Sequence, residues 1–221
     1  MLHKVSKLVF IVFMLLCMNS RQLAAQFPQF HNYTNSAGIY DFVIDGNDIW
    51  ICTFGGLIKF NKSTSTYVTY NGGNFGLTLN DLVSIEMDQS GNLFIGGFHF
   101  VQTYDKDSLW YFTDTLDVAG FNMPIINACK SDKIGNVYAA VSSPYVIKYN
   151  NLSFDTIQLP FQGNAQVGAI AIDTSNQLWV ASKYYGVAKY DGSNWQKFDS
   201  TNSILPNQYA SGICVDNNNK V

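Results

Sequence analysis

Four aspartates recur at near-constant spacing along this 221-residue chain: Asp88, Asp132, Asp173 and Asp216. Carboxylates in such a series could act as acid–base groups or hold a cation. Each, however, sits in a dip between two apolar runs, as in Asp88-Gln-Ser-Gly-Asn92, where accepting the N–H groups of a tight turn explains it fully. Asp216-Asn-Asn-Asn has the look of a calcium loop but lacks the remaining acidic ligand at the proper distance, and reads as a turn. Beyond residue 25 the only histidines are His31 and His99, too few for a histidine metal cluster. No GxSxG elbow nominates a serine nucleophile. Cys52, Cys129 and Cys214 are odd in number and each lies inside an apolar run, the setting of a small buried hydrophobe rather than of a disulfide framework. The expectation is no catalytic residue, no metal and no cofactor.

One constellation suits binding instead. Phe54, then Phe98, His99 and Phe100, then Tyr145, then Tyr184 and Tyr185 fall between the second and third apolar runs of successive repeats. Loops at the same place in each repeat should share one face. Rings gathered there could stack on sugar rings or grip an apolar peptide. The same rings could equally pack beneath neighbouring repeats.

The elements that must position them form a repeat of about 43 residues. The apolar residue opening each second run is Ile49, Leu93, Val137, Leu178 and Val221, at intervals of 44, 44, 41 and 43. An aromatic follows each complete anchor (Trp50, Phe94, Tyr138, Trp179), and an Asp precedes four anchors by five positions. In the first repeat the turn is shorter and Asp45 takes that place. A second landmark follows at Lys59-Phe60-Asn61, Thr103-Tyr104-Asp105, Lys148-Tyr149-Asn150 and Lys189-Tyr190-Asp191. A third is a pair of large residues three apart: Tyr67/Tyr70, Leu109/Phe112, Phe154/Ile157 and Trp195/Phe198. Each unit reads as four strands joined by tight turns.

Four strands per unit at this period predict an all-β fold, a β-propeller of four-stranded blades. The expected blades are residues 37–70, 82–113, 125–158 and 168–198, with an incomplete one at 212–221. A β-sandwich would give no reason for an in-phase repeat. Large inter-blade contacts are expected from the aromatics after each anchor and from those of the fourth strand. Phe27-Pro-Gln-Phe30 followed by Thr34-Asn-Ser36 parallels Trp195-Gln-Lys-Phe198 followed by Thr201-Asn-Ser203, so residues 27–33 read as a lone fourth strand closing the ring. The sequence thus reads as a truncated propeller, four complete blades plus part of a fifth.

The first 25 residues set the compartment. A basic start (Lys4, Lys7) precedes an unbroken apolar run of 11 residues, Leu8 to Met18, and a small-residue cleavage site at Leu23-Ala-Ala25. The run is short of the roughly 20 residues that span a bilayer as a helix, so 1–25 reads as a secretory signal peptide and the protein as exported, to the periplasm, cell surface or medium. Residues 26–221 then carry ten Lys, no Arg and sixteen acidic residues, a formal charge of -6. Without Arg forks, and with a net negative surface, nucleic acid is not an expected partner. No membrane insertion is expected within 26–221.

These residues carry a family likeness. Ile170-Ala-Ile-Asp173, Leu178-Trp-Val-Ala181, Gly186-Val-Ala-Lys-Tyr-Asp-Gly192 and Asn194-Trp-Gln-Lys-Phe198 resemble the two-component regulator propeller repeat. Thr201 to Asn207 is similar to that family's linker between blades. The likeness spans residues 27–221 and is poorest in the third repeat, where Pro144 and Tyr145 replace the usual Gly-Gly. It implies a non-catalytic sensing or interaction module, either the sensor part of a two-component system responding to oligosaccharides or a secreted surface protein with a sorting domain for type IX secretion. It carries no catalytic residues over. Streptogramin-lyase-like propellers share such turns and represent an enzymatic alternative, which would need loop-face histidines in more than one blade. A purely structural surface role is a third reading.

Overall fold

The computed structural model describes residues 38–74, 77, 80–98, 100–105, 110–113, 125–150, 154–163 and 165–221. The signal peptide and closing strand expected before residue 38, and His99, lie outside the described residues. Sixteen strands form four antiparallel four-stranded sheets in simple sequential order. Sheet 1 holds β1 (Ile39–Asp45), β2 (Asp48–Thr53), β3 (Gly56–Asn61) and β4 (Thr66–Tyr70). Sheet 2 holds β5 (Leu82–Met87), β6 (Leu93–Gly97), β7 (Val101–Tyr104) and β8 (Trp110–Thr113). Sheet 3 holds β9 (Ile126–Ser131), β10 (Val137–Val141), β11 (Tyr145–Tyr149) and β12 (Phe154–Gln158). Sheet 4 holds β13 (Val167–Ile172), β14 (Leu178–Ser182), β15 (Gly186–Tyr190) and β16 (Trp195–Phe198). No helix is present among the described residues.

The first strands of successive sheets are neighbours: β1 lies beside β5, β5 beside β9, and β9 beside β13. The sheets therefore fan outward from their first strands, each covering a face of the next. This is the blade arrangement of a β-propeller. Three apolar clusters fill the three joints. Trp50, Cys52 and Leu57 meet Leu82, Ile85, Leu93, Ile95 and Phe100. Phe94 and Val101 meet Cys129, Val137, Ala139, Val141 and Ile147. Tyr138, Ala140 and Val146 meet Ile170, Leu178, Val180 and Ala188.

The aspartates do the work of turns. Asp88 Oδ1 accepts the N–H of Ser90 and of Asn92, both at 2.8 Å, and its Oδ2 accepts the Asn92 amide at 2.8 Å. Asp132 repeats this with Ile134, Asn136 and the Asn136 amide, and its Oδ2 also accepts the Tyr138 hydroxyl at 3.3 Å. Asp173 accepts from Ser175, Gln177 and the Trp179 indole N–H. Asp216 holds Asn218 and Lys220 in the same way, although no strand is formed over 212–221. The left-handed position of the turn is taken by Gly91, Gly135, Asn176 and Asn219, with φ of 83°, 89°, 64° and 60°. Asn uses that position twice over. Asn176 Oδ1 accepts the Lys133 N–H of the preceding turn at 2.9 Å, and Asn219 Oδ1 accepts the Thr174 N–H at 2.8 Å.

First strands are sheet edges, and side chains of the preceding sheet cap their backbone groups. Asp41 Oδ2 accepts the Ile85 N–H at 3.0 Å, and Glu86 Oε1 accepts the Ser131 N–H at 3.1 Å and its hydroxyl at 2.8 Å. Asn127 donates to the Val167 carbonyl at 2.8 Å. Among the described residues no buried side-chain N or O atom lacks a partner.

The joints hold one more set of rings than the expected two. Three anchor aromatics, Trp50, Phe94 and Tyr138, are at the joints, and the rings they meet across them are those of the third strands. Trp50 meets Tyr104 at 5.6 Å between centroids, Phe94 meets Tyr149 at 5.2 Å, and Tyr138 shares its cluster with Tyr190. Described fourth-strand rings pack on rings of their own sheet, Tyr70 on Trp50, Phe154 on Tyr149, Trp195 on Tyr190 and Phe198 on Trp179, and Tyr70, Phe154 and Trp195 also pack against the clusters that fill the joints. Because the sheets fan apart from their first strands, the outermost strands are farthest from the next sheet, and Tyr67 is 69% exposed.

Candidate functional site

The face opposite the aspartate turns is built by the β2–β3, β6–β7, β10–β11 and β14–β15 loops and by the connections that leave each fourth strand. Hydroxyls at the end of the second strand hold two of these loops. Thr53 Oγ1 donates to the Gly56 carbonyl at 2.7 Å and accepts the Gly55 N–H at 3.0 Å. Ser182 Oγ donates to the Ala165 carbonyl and accepts the N–H groups of Tyr184 and Tyr185, both at 3.2 Å. Both hydroxyl residues are fully buried. In the third loop Ser143 Oγ accepts the Tyr145 N–H at 3.2 Å. These three turns are therefore hydrogen-bonded supports for Phe54, Tyr145, Tyr184 and Tyr185.

The described rings gather in two groups. In the first, Tyr40 at the start of β1 stacks on Phe54 at 4.2 Å and 26°, and Phe54 lies 6.1 Å from Phe98. Phe98 bridges to Ile125, which leads into β9. Tyr40 is 47% exposed, so this ledge presents an open aromatic face. In the second, Tyr185 stacks on Phe161 at 5.5 Å and 13°. That pair walls a cavity of about 220 Å³ together with Lys197, Asp199 and Gln208, where the β12–β13 connection meets the end of β16. Tyr184, the residue before Tyr185, is half exposed. Tyr145 is partly buried where β11 begins.

Phe100 does not belong to the site. It is 1% exposed and packs in the first joint with Leu57, Leu77 and Leu82. Gly97 makes its place, since a Cβ there would lie 2.3 Å from the Phe100 ring. Sequence reasoning missed Tyr40 and Phe161, which lie outside the loops it compared. It also missed Thr53 and Ser182, whose only signal is a hydroxyl residue four positions after the anchor in two of the repeats.

Burial and hydrogen bonding shift the joint thiols and the cavity carboxylate in opposite directions. Burial pushes the Cys129 thiol up to about 12, with the Ser84 hydroxyl pulling the other way, and burial raises Cys52 well above its ordinary value. Both therefore stay protonated and are poor nucleophiles. Asp199, at the cavity, is held below the usual carboxylate range by the Thr201 hydroxyl and N–H, so it remains an anion. Among the described residues no three His, Cys, Asp or Glu side chains come together as a metal site.

Solved structures share this architecture. The chain superposes on the extracellular domain assigned to a hybrid two-component system of B. thetaiotaomicron with TM-score 0.67 and 23% identity, over 82% of this chain and 26% of that one. A second such domain from the same organism gives TM-score 0.69 and 16% identity, over 82% and 25%. Virginiamycin B lyase from Staphylococcus aureus gives 0.67 and 13%, over 82% and 61%. The shared property is the propeller fold. The chain spans about a quarter of those extracellular domains and about three fifths of the lyase. No family model and no curated protein sequence matches it.

Proposed function

We propose that this chain is part of an exported, non-enzymatic recognition propeller that binds its ligand on the loop face. The observation that carries the reading is the Tyr40–Phe54–Phe98 ledge. Phe54 sits on a turn held by Thr53, Tyr40 stacks on it from the start of β1 and is half open to solvent, and Phe98 lies beside them. Tyr184 and the Tyr185–Phe161 cavity extend the same face. Flat aromatic surfaces of this kind suit a sugar ring or an apolar segment of a protein. Likeness to extracellular domains of two-component systems supports the export and sensing parts of the reading. A surface protein carrying a sorting domain is its other form, and cell fractionation separates the two. The lyase likeness supports an enzymatic reading less well, because the sequence offers a single histidine, His99, between the second and third apolar runs of a repeat.

A glycan array and a thermal-shift screen against oligosaccharides and peptides test the proposal. Binding that disappears in Tyr40→Ala and Phe98→Ala, with folding retained, supports it. Hits that survive both substitutions overturn the assignment of the face.

A further inference from the structure

The cavity of about 220 Å³ at the loop end of sheet 4 has a cation and an anion in its lining. Lys197 lies in β16 and Asp199 just past its end. Residues two apart along a strand share a side, and both line the cavity. They do not pair with each other. Among the described residues the Lys197 ammonium has no ion-pair or hydrogen-bond partner. Asp199 Oδ1 accepts the N–H and the hydroxyl of Thr201, and no described group donates to its Oδ2. The side-chain amides of Gln162 and Gln208 also line the cavity without a partner among the described residues, and the stacked Tyr185 and Phe161 rings supply its apolar part. The walls are set in advance. Ser182 Oγ accepts the Tyr185 N–H, the Gln208 carbonyl accepts the Gly186 N–H at 2.8 Å, and Asn202 Oδ1 accepts the Asp199 N–H at 2.9 Å. Little ordering is left for a ligand to impose.

Pockets for drug-sized molecules run to roughly 300–1,000 Å³, so this one suits a single smaller molecule. Charge narrows the class. A carboxylated ligand, such as an acidic sugar, would meet Lys197 but bring its anion beside Asp199. A cationic ligand has the reverse fault. A neutral sugar would strip water from both charges and return only hydroxyl contacts. A zwitterion instead gives each charge its counter-ion through a charge-assisted hydrogen bond. We infer, resting on the reading of the loop face as a recognition surface, that this cavity is a site for a free α-amino acid with an apolar side chain. Its carboxylate meets Lys197, its ammonium meets Asp199, and its side chain lies against Tyr185. The Tyr40–Phe54–Phe98 ledge takes no part in this contact.

An NMR titration of the whole protein with L-phenylalanine, N-acetyl-L-phenylalanine, L-phenylalaninamide, glucuronate and glucose tests this. L-Phenylalanine should bind saturably, and each derivative, lacking one charge, at least about tenfold more weakly. Lys197→Gln should weaken L-phenylalanine about tenfold and abolish the discrimination against the amide. Asp199→Asn keeps an Oδ1 acceptor for Thr201 and should abolish the discrimination against the N-acetyl derivative. Charge-specific losses of this kind do not arise from misfolding. The inference is overturned if L-phenylalanine does not bind saturably, if the derivatives bind as well as it does, or if the variants keep the parent's discrimination. Sugar binding that Lys197→Gln removes overturns it too. Glycan or peptide binding that is lost in Tyr40→Ala and Phe98→Ala, with no amino acid bound, sinks the amino-acid site and leaves the ledge standing. Amino-acid binding that depends on Lys197, with no ligand for the ledge, does the reverse.

Discussion

The two ends of these blades are made by different rules. At the turn end, one device is repeated: an Asp accepting N–H groups two and four residues on, with Gly or Asn at the left-handed position. At the loop end nothing repeats exactly in kind. A Thr-held turn carries Phe54, a Gly-Gly pair admits Phe100, a Ser-Ser-Pro bend precedes Tyr145, and a Ser-held turn carries Tyr184 and Tyr185. Where successive repeats after the first need the same hairpin, the same chemistry recurs and serves stability. Where the blades differ, the residues are released from that need, and exposed rings collect there. The comparison separates substitutions that should unfold the protein from substitutions that should leave it folded.

The largest loss is expected at a joint. Phe94→Ala removes a ring only 2% exposed and should cost about 3–5 kcal/mol, a fall of about 10 °C in melting temperature by calorimetry. A smaller fall would mean the joints are looser than their burial implies. Next comes the turn end. Asp132→Ala strands two backbone N–H groups, the Asn136 amide and the Tyr138 hydroxyl, and should cost about 2–3 kcal/mol in a denaturant titration. If it proves as mild as a surface change, the turns are not what holds the hairpins. Trp179→Phe keeps the ring but loses the indole bond to Asp173, for about 1 kcal/mol.

Acid should act on the turn end with a definite sign. Burial works against ionised Asp173, but the Gln177 and Ser175 N–H groups, the Trp179 indole and Lys189 outweigh it and hold its carboxyl below 3.8. A depressed folded value means stability that is present above pH 3.8 and lost as pH falls through the folded value. Asp41 is shifted the other way: burial raises it, despite the Ile85 and Phe42 N–H groups. Its contribution is present below 3.8 and fades as pH climbs through its folded value. Unfolding midpoints followed from about pH 5 down to about pH 2 should therefore lose part of their acid sensitivity in Asp173→Asn. An unchanged profile would remove Asp173 from the account.

How much of this was legible in the sequence follows the same division. The strands, the aspartate turns and the anchor aromatics could be read because the repeat enforces one solution four times. Third-strand tyrosines were visible as landmarks, but their place across the joint was not, because it depends on how sheets fan apart in space. Phe98 and Phe100 looked alike in sequence, two residues apart in one loop. Only the space left by Gly97 sends Phe100 into the core, while Phe98 stays beside Phe54. Tyr40 could not be placed in the site at all, since its stacking partner comes from another element.

The smallest expected effect on stability is also the most telling. Tyr184→Ala removes a ring 53% exposed on the loop face. Ligand affinity of this variant, measured by calorimetric titration beside its melting temperature, tests the central claim directly. The account predicts binding weakened at least about tenfold, the scale of one lost ring contact, with the melting temperature within about 2 °C of the parent. A melting temperature several degrees lower, with affinity unchanged, would return Tyr184 to the scaffold and contradict the assignment of recognition to this face.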